Sequence, residues 1–261
     1  MKRILISLSI TLFFASCSQS ILKKKVPAKL VVLSFDDGPL TDYTFIAPLL
    51  NKYHFEATFY VCEFPPNFND KTKYMSWEQI QGLSQMGFEI GNHTHHHALV
   101  GKLSDENFSD ELKYIEDTCK VLNIPKITTF AYPSYDLSLG NFKTLKLRGY
   151  QFARAGGSRV YDPLKDHPYL IPSWGLTDSN KDTIIEALKL AKDGKITILT
   201  IHGVPDYEHP WVTTSQKIFR EICEYLYNNK YKVISLKELN KYVNYKNAYK
   251  LIKPDFTQPL R

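Results

Sequence analysis

Three short polar clusters carry side chains that could do chemistry. The first, at 34–39, reads Ser34-Phe35-Asp36-Asp37-Gly38-Pro39 and follows the apolar run 30–33. Two adjacent carboxylates at the end of a buried strand are costly unless they are paired or bind a metal. A turn accounts for Gly38 and Pro39 but not for two acids in a row. The second cluster, at 91–97, holds four of the chain's eight histidines within five residues. His93 and His97 are four apart, so on one helical turn they share a face and can share a metal. If the stretch is extended, His93, His95 and His97 share a face instead. The third cluster is a single His202 after the β-branched run 196–201. One Asp and two His leave coordination positions open, as a catalytic metal requires. The remaining Asp and His are then a base and an acid.

Something must bring the three clusters together. Apolar runs at 30–33, 57–61, 88–90, 128–132, 150–154 and 196–201 read as strands, with weaker ones at 169–171 and 232–234. Helical stripes separate them. Phe108, Leu112, Ile115, Cys119 and Leu122 recur at helical spacing. Ile184, Leu188 and Ala191 form another stripe, and Ile218, Ile222, Tyr225 and Leu226 a third. Ser76 and Gln79 match a capping box. Strand–helix units of about 30 residues imply parallel strands with right-handed crossovers. Seven or eight of them favour an α/β barrel over an open sheet. All three clusters follow strands, so they meet at the C-terminal mouth, where such barrels carry their sites. No linker interrupts the pattern, and residues 29–261 read as one domain.

The chain has 261 residues and a net charge of +6. Lys2-Arg3, the apolar run 4–14 and small residues before Cys17 form a signal segment at 1–16. Phe14-Ala15-Ser16-Cys17 fits a lipoprotein box, so Cys17 is expected to carry lipid. The expected setting is the cell envelope, outside the cytoplasm, with the membrane as a partner. Residues 17–28, with Lys23-Lys24-Lys25, read as a solvated tether. Without 1–16 the charge falls to +4, and no Lys/Arg stripe interleaves with aromatics, which argues against nucleic acid. Cys62, Cys119 and Cys223 are odd in number and lack paired spacing, so no disulfide framework or zinc cage is implied.

The motif at 34–39 resembles the (T/S)FDDGP motif of the polysaccharide deacetylase family, also called the NodB-homology domain or carbohydrate esterase family 4. Residues 93–97 resemble its H(S/T)xxH motif and 199–202 its LxxH motif, in the family's order. The resemblance implies a deformed (β/α) barrel of seven to eight parallel strands. It implies a hydrolase that removes N-acetyl groups from an amino-sugar polysaccharide or oligosaccharide. Asp36 would be the base, His202 the acid, and Asp37, His93 and His97 the ligands of a divalent metal, usually Zn2+. Related readings are hydrolysis of another non-peptide amide and O-acetyl esterase action. From another class comes a non-catalytic glycan-binding lipoprotein.

Two departures from the family pattern stand out. The third motif is RxPY-like, but Ala131 stands where its arginine belongs, in Phe130-Ala131-Tyr132-Pro133. Arg154 closes the fifth strand, before Gly156-Gly157, and is expected to replace it; Arg159 is the competitor. The fourth motif is blurred, and Trp174 is its candidate aromatic. Tyr132, Pro133 and Trp174 are expected to line the substrate groove. So are Asp206 and Trp211 of the loop that follows His202.

Overall fold

The computed structural model describes residues 21–260. Eight strands form one all-parallel sheet. They are β1 (Leu30–Phe35), β2 (Thr58–Val61), β3 (Glu89–Asn92), β4 (Thr129–Ala131), β5 (Phe152–Arg154), β6 (Trp174–Gly175), β7 (Thr197–Ile201) and β8 (Lys232–Ile234). The neighbour order is β5-β4-β3-β2-β1-β7-β6. β7 runs along one edge of β1. The other edge is shared: β8 pairs with residues 30–32 and β2 with Ser34 and Phe35. The curled sheet closes through an irregular strip between β5 and β6. Ile171 bridges Arg154, Ser158 N–H donates to Ser173 O at 3.0 Å, and Trp174 pairs with Leu199. The strand expected at 169–171 is thus reduced to a bridge inside this strip. The result is a deformed (β/α) barrel.

Among the described residues, seven α-helices accompany the strands: α1 (Ala47–Tyr53), α2 (Trp77–Gln85), α3 (Asp105–Val121), α4 (Asn141–Arg148), α5 (Lys181–Lys189), α6 (Gln216–Asn228) and α7 (Tyr245–Leu251). The α2 capping box forms as expected, with Ser76 and Gln79 each satisfying the other's backbone N–H. Ser104 and Ser215 cap α3 and α6 in the same way on one side. Phe108, Leu112, Ile115 and Cys119 form the buried stripe of α3.

Alternation along β1 sorts two cores. Val31, Leu33 and Phe35 face the helices, whereas Leu30 and Val32 enter the barrel with Tyr60, Phe152 and Ile198. Higher in the barrel the filling turns polar. Buried Glu89 accepts from Thr129 Oγ1 at 2.5 Å and from Thr58 Oγ1 at 2.7 Å. Gly91 makes room for the Tyr60 ring, which lies 2.4 Å from where a Cβ would sit. The strand-N-terminal end is plugged by Leu236, Leu239, Tyr242 and Val243.

Residues 21–28 do not behave as a tether. Ile21 and Val26 are buried in the same plug, Leu22 bridges Val243, and Lys23 N–H donates to Tyr242 O at 2.7 Å. Two apolar side chains with a place in the plug outweigh the lysines between them. The leader 1–16 and Cys17 lie outside the described residues. Cys62, Cys119 and Cys223 are buried free thiols. Among the described residues no helix is long and apolar enough to cross a membrane.

Candidate active site

The mouth is built where β1, β3, β5 and β7 end. Asp36 N–H donates to Ile201 O, extending the β1–β7 ladder by one residue. Asp37 then takes φ 73° and Gly38 φ 68°, so the chain turns at once. That turn lets both carboxylates face the cavity, where consecutive strand residues would point to opposite faces.

Arg154 is fully buried at the end of β5. Its Nη2 donates to Asp36 Oδ2 at 2.5 Å and its Nη1 to Thr200 Oγ1 at 2.8 Å. The guanidinium lies 5.4 Å from the Tyr60 ring and 5.8 Å from the Tyr135 ring. A buried cation needs such a partner, since one stripped of its counter-charge is strongly destabilising. Asp36 Oδ1 has no donor, which leaves one carboxylate oxygen free beside the cavity. Arg159 is engaged elsewhere, with Asp166 at 2.8 Å. Gly156 and Gly157 follow Arg154, and the C-terminal segment packs on them: a Cβ at Gly157 would lie 2.1 Å from Pro259 O.

His93 Nδ1 lies 2.8 Å from the carbonyl oxygen of Ala131. A carbonyl can only accept, so Nδ1 carries the hydrogen, and Nε2 is the nitrogen left to bind a metal when the ring is neutral. His93 Nε2 is 3.3 Å and His97 Nε2 3.5 Å from Asp37 Oδ1. That oxygen is buried and has no donor. Acceptors converging on one point are the signature of a cation site, and the three residues could hold one metal ion. Burial opposes charge on Asp37, but the neighbouring His93, His202 and His97 hold its carboxyl well below the usual range. Burial, with the charge of His93, pushes His97 down to about 4, so it is a neutral ligand near pH 7.

The His93–His97 pairing is not helical. Thr94 has φ 65° and His97 φ 52°. Asn92 Oδ1 accepts the Thr94 N–H and Thr94 Oγ1 accepts the Ala98 N–H, each at 2.8 Å. A loop folded on two polar side chains brings the rings to 4.9 Å. His95 stacks on Tyr114 at 3.4 Å and bonds Glu63 at 3.1 Å, while His96 bonds Glu111. Neither joins the cluster, so the extended alternative fails too.

The cavity has a volume of about 380 Å3. Asp36, Asp37, His93, His97 and His202 line it, with Tyr132, Ser134, Tyr135, Phe64, His209, Trp211 and Val212. His202 Nε2 lies 3.8 Å from Asp37 Oδ2. Tyr132 contributes a buried wall, its hydroxyl donating to Tyr169 O. Pro133 is buried and starts the turn that presents Ser134 and Tyr135. Trp211 is 73% exposed at the mouth.

Three expected groove residues do not line the cavity: Pro133, Trp174 and Asp206. Trp174 sits in register with Leu199, whose side chain packs toward the helices, and Trp174 packs on that same outer core. Asp206 does not line the cavity. It is buried and accepts from the N–H groups of Gly203, Glu208 and His209 and from His209 Nδ1 at 3.3 Å. It folds the loop instead. His209, absent from the sequence-based set, is the residue this loop delivers. Its bond to Asp206, stronger than the burial that opposes it, raises its pKa. The usable signal was its place between Asp206 and Trp211, in a loop that starts at His202.

Comparisons with known proteins agree with this geometry. The family model described as polysaccharide deacetylase matches residues 23–153, half of the chain. A peptidoglycan-N-acetylglucosamine deacetylase of Bacillus cereus is 32% identical over 128 residues, 47% of this chain and 54% of that protein. PdaA of Bacillus subtilis, a family 4 carbohydrate esterase, shares the fold with a TM-score of 0.58 over 82% of each chain at 21% identity. A family 4 acetyl xylan esterase of Clostridium thermocellum, solved with a cobalt ion, gives a TM-score of 0.56 at 25% identity, over 81% of this chain and 90% of that one. The chain spans about half or less of the length of the curated relatives it matches.

Proposed function

The chain belongs to the polysaccharide deacetylase family, and we propose that it hydrolyses N-acetyl groups on an amino-sugar glycan of the cell envelope. One observation carries the reading: a buried Arg154–Asp36 pair beside a convergent Asp37–His93–His97 cluster, on one cavity. A structural ion pair alone would leave the acceptor cluster unexplained.

Asp37, His93 and His97 would hold a divalent metal, zinc in this reading, which when bound would polarise the acyl oxygen and lower the pKa of a water. Asp36 removes the proton from the attacking water through its free Oδ1, while Arg154 holds Oδ2 in place. His202 protonates the leaving nitrogen, so the products are acetate and a free amine. Tyr132, Tyr135 and Trp211 offer ring faces and edges for a sugar. In this reading Arg154, with one bond to Asp36 and one to Thr200, takes the place of an arginine at position 131. Acylated Cys17 would keep this barrel at the envelope surface.

The acetyl xylan esterase relative favours a second reading, in which the leaving group is a sugar hydroxyl. Acetate released from N-acetylated chitooligomers or peptidoglycan fragments, set against acetate from acetylated xylan, separates the two. Release from the amides with matching free amine supports deacetylation. Release from xylan alone overturns it.

A further inference from the structure

We propose that the strand-N-terminal end of the barrel, opposite the active-site mouth, is a docking surface for an anionic phospholipid membrane. Its first two observations stand whether or not Cys17 is acylated; the third rests on the envelope reading, to which it adds an orientation.

Three observations fall on this one end. The first is charge. Lys23, Lys24, Lys25, Lys29, Lys192, Lys230 and Lys232 are all exposed. They form one patch through the backbone. Lys29 N–H donates to Ala191 O, Lys232 N–H to Lys29 O, and Lys29 Nζ to Asn229 O. Lys24 lies over the Tyr242 ring, whose hydroxyl accepts from Lys232. None of the seven forms an ion pair among the described residues. Asp193 stands beside Lys192, and Glu238 is paired to Lys241. Helix dipoles do not account for the patch, because none of these lysines is in the last turn of a helix. Acids stand in first helical turns at the mouth end: Glu78, Asp105, Glu106 and Asp182.

The second observation is apolar exposure. Exposed apolar side chains occur at both ends, Tyr207 and Trp211 among them at the mouth, but at this end Leu190 and Tyr227 are exposed two and three positions before Lys192 and Lys230. Leu190 and Tyr227 each sit at the end of a helix that returns the chain to the start of a strand. A helix end facing water gains nothing from a large apolar side chain. A helix end facing the boundary of headgroups and acyl chains does, and lysines beside it meet the lipid phosphates.

The third observation is where the chain leaves the barrel. Ile21 is docked in the plug at this end. Cys17 lies four positions earlier, within at most roughly 14 Å of extended chain. A membrane-held N-terminus therefore brings this face, and not the mouth, to the bilayer. The mouth then opens away from the membrane, toward a polymer.

The test is hydrogen–deuterium exchange on the full chain, incorporated into phosphatidylcholine vesicles with and without phosphatidylglycerol. Any anchor is present in both arms, so the difference reads the face. Amides at 23–29, 190–195 and 227–232 are expected to exchange more slowly with the anionic lipid, and to lose that protection at high salt. The triple variant Lys25→Glu, Lys192→Glu and Lys230→Glu should abolish the protection while leaving hydrolysis of a soluble oligosaccharide unchanged. Protection that ignores lipid charge and the triple variant would overturn the proposal. So would a footprint on 203–213 at the mouth, or protection by heparin with none by vesicles, which would assign the patch to a soluble polyanion. The exchange outcomes do not depend on the deacetylase reading; only the hydrolysis control does.

Discussion

At the scale of single residues, the account turns on a division of labour between two adjacent acids. Asp37 converges with two histidines, whereas Asp36 is held by Arg154. Asp36→Asn should therefore keep its metal and lose roughly 10²–10⁴-fold in rate, the contribution of a positioned base. Elemental analysis beside a rate measurement checks both halves. Arg154→Lys should cost roughly 10–100-fold with metal retained, because an ammonium cannot hold Asp36 and Thr200 in one planar fork. An unimpaired Lys variant would mean that something else orients Asp36. Asp42 gives a separate prediction. It is fully buried, neither carboxyl oxygen has a partner, and burial, followed by Asp206, Asp37 and Asp36, pushes its pKa well above the usual range. In the folded chain it holds a proton that the unfolded chain gives up above about pH 4. Its contribution to stability is therefore lost as pH rises through that window. Denaturation of Asp42→Asn against wild type should show the gap shifting toward the variant by up to about 1.4 kcal/mol per pH unit.

At the scale of elements, the strands were legible and the loops were not. Leu30, Val31, Val32 and Leu33 announce β1 because a strand buried on both faces needs an unbroken apolar run. The convergence of His93 and His97 was legible from residue type, but its geometry was not. Positive φ at Thr94 and His97 is seldom taken by non-glycine residues and carries no sequence mark. Trp174 was misplaced because β6 is two residues long, too short to show which face it uses. Asp206 folds the loop and His209 reaches the cavity instead, because only the fold shows which of two loop groups turns inward. Metal content tests the loop directly. His93→Ala should lose the ion and His95→Ala keep it, since His95 bonds Glu63 and stacks on Tyr114. Equal loss in both would defeat the assignment. Gly91 tests the layer below. Gly91→Ala sets a methyl group against the Tyr60 ring and should cost about 1–3 kcal/mol in chemical denaturation, as overpacking does.

At the scale of the whole molecule, alternating strands and helices were enough to place three distant clusters on one mouth. A parallel barrel puts every strand end on the same side, so order along the chain becomes proximity in space. Two features of the whole stayed hidden. The barrel closes through one bridge at Ile171 and a two-residue strand at 174–175, which no apolar run marks. Residues 21–28 dock because the plug offers places for Ile21 and Val26, a fact belonging to residues more than 200 positions away. Arg154 is the reverse case. Its strand was readable, and a buried arginine at a mouth that holds two acids has few places to go. The central claim joins all three scales: hydrolysis at this mouth requires a metal held by Asp37, His93 and His97. Its most direct measurement is acetate release from an N-acetylated oligosaccharide by the purified chain, stripped with a chelator and then titrated with zinc. The account predicts that the stripped chain is inactive, that activity returns in proportion to zinc up to one equivalent, and that Asp37→Ala does not recover. Full activity in the stripped, metal-free chain would contradict it.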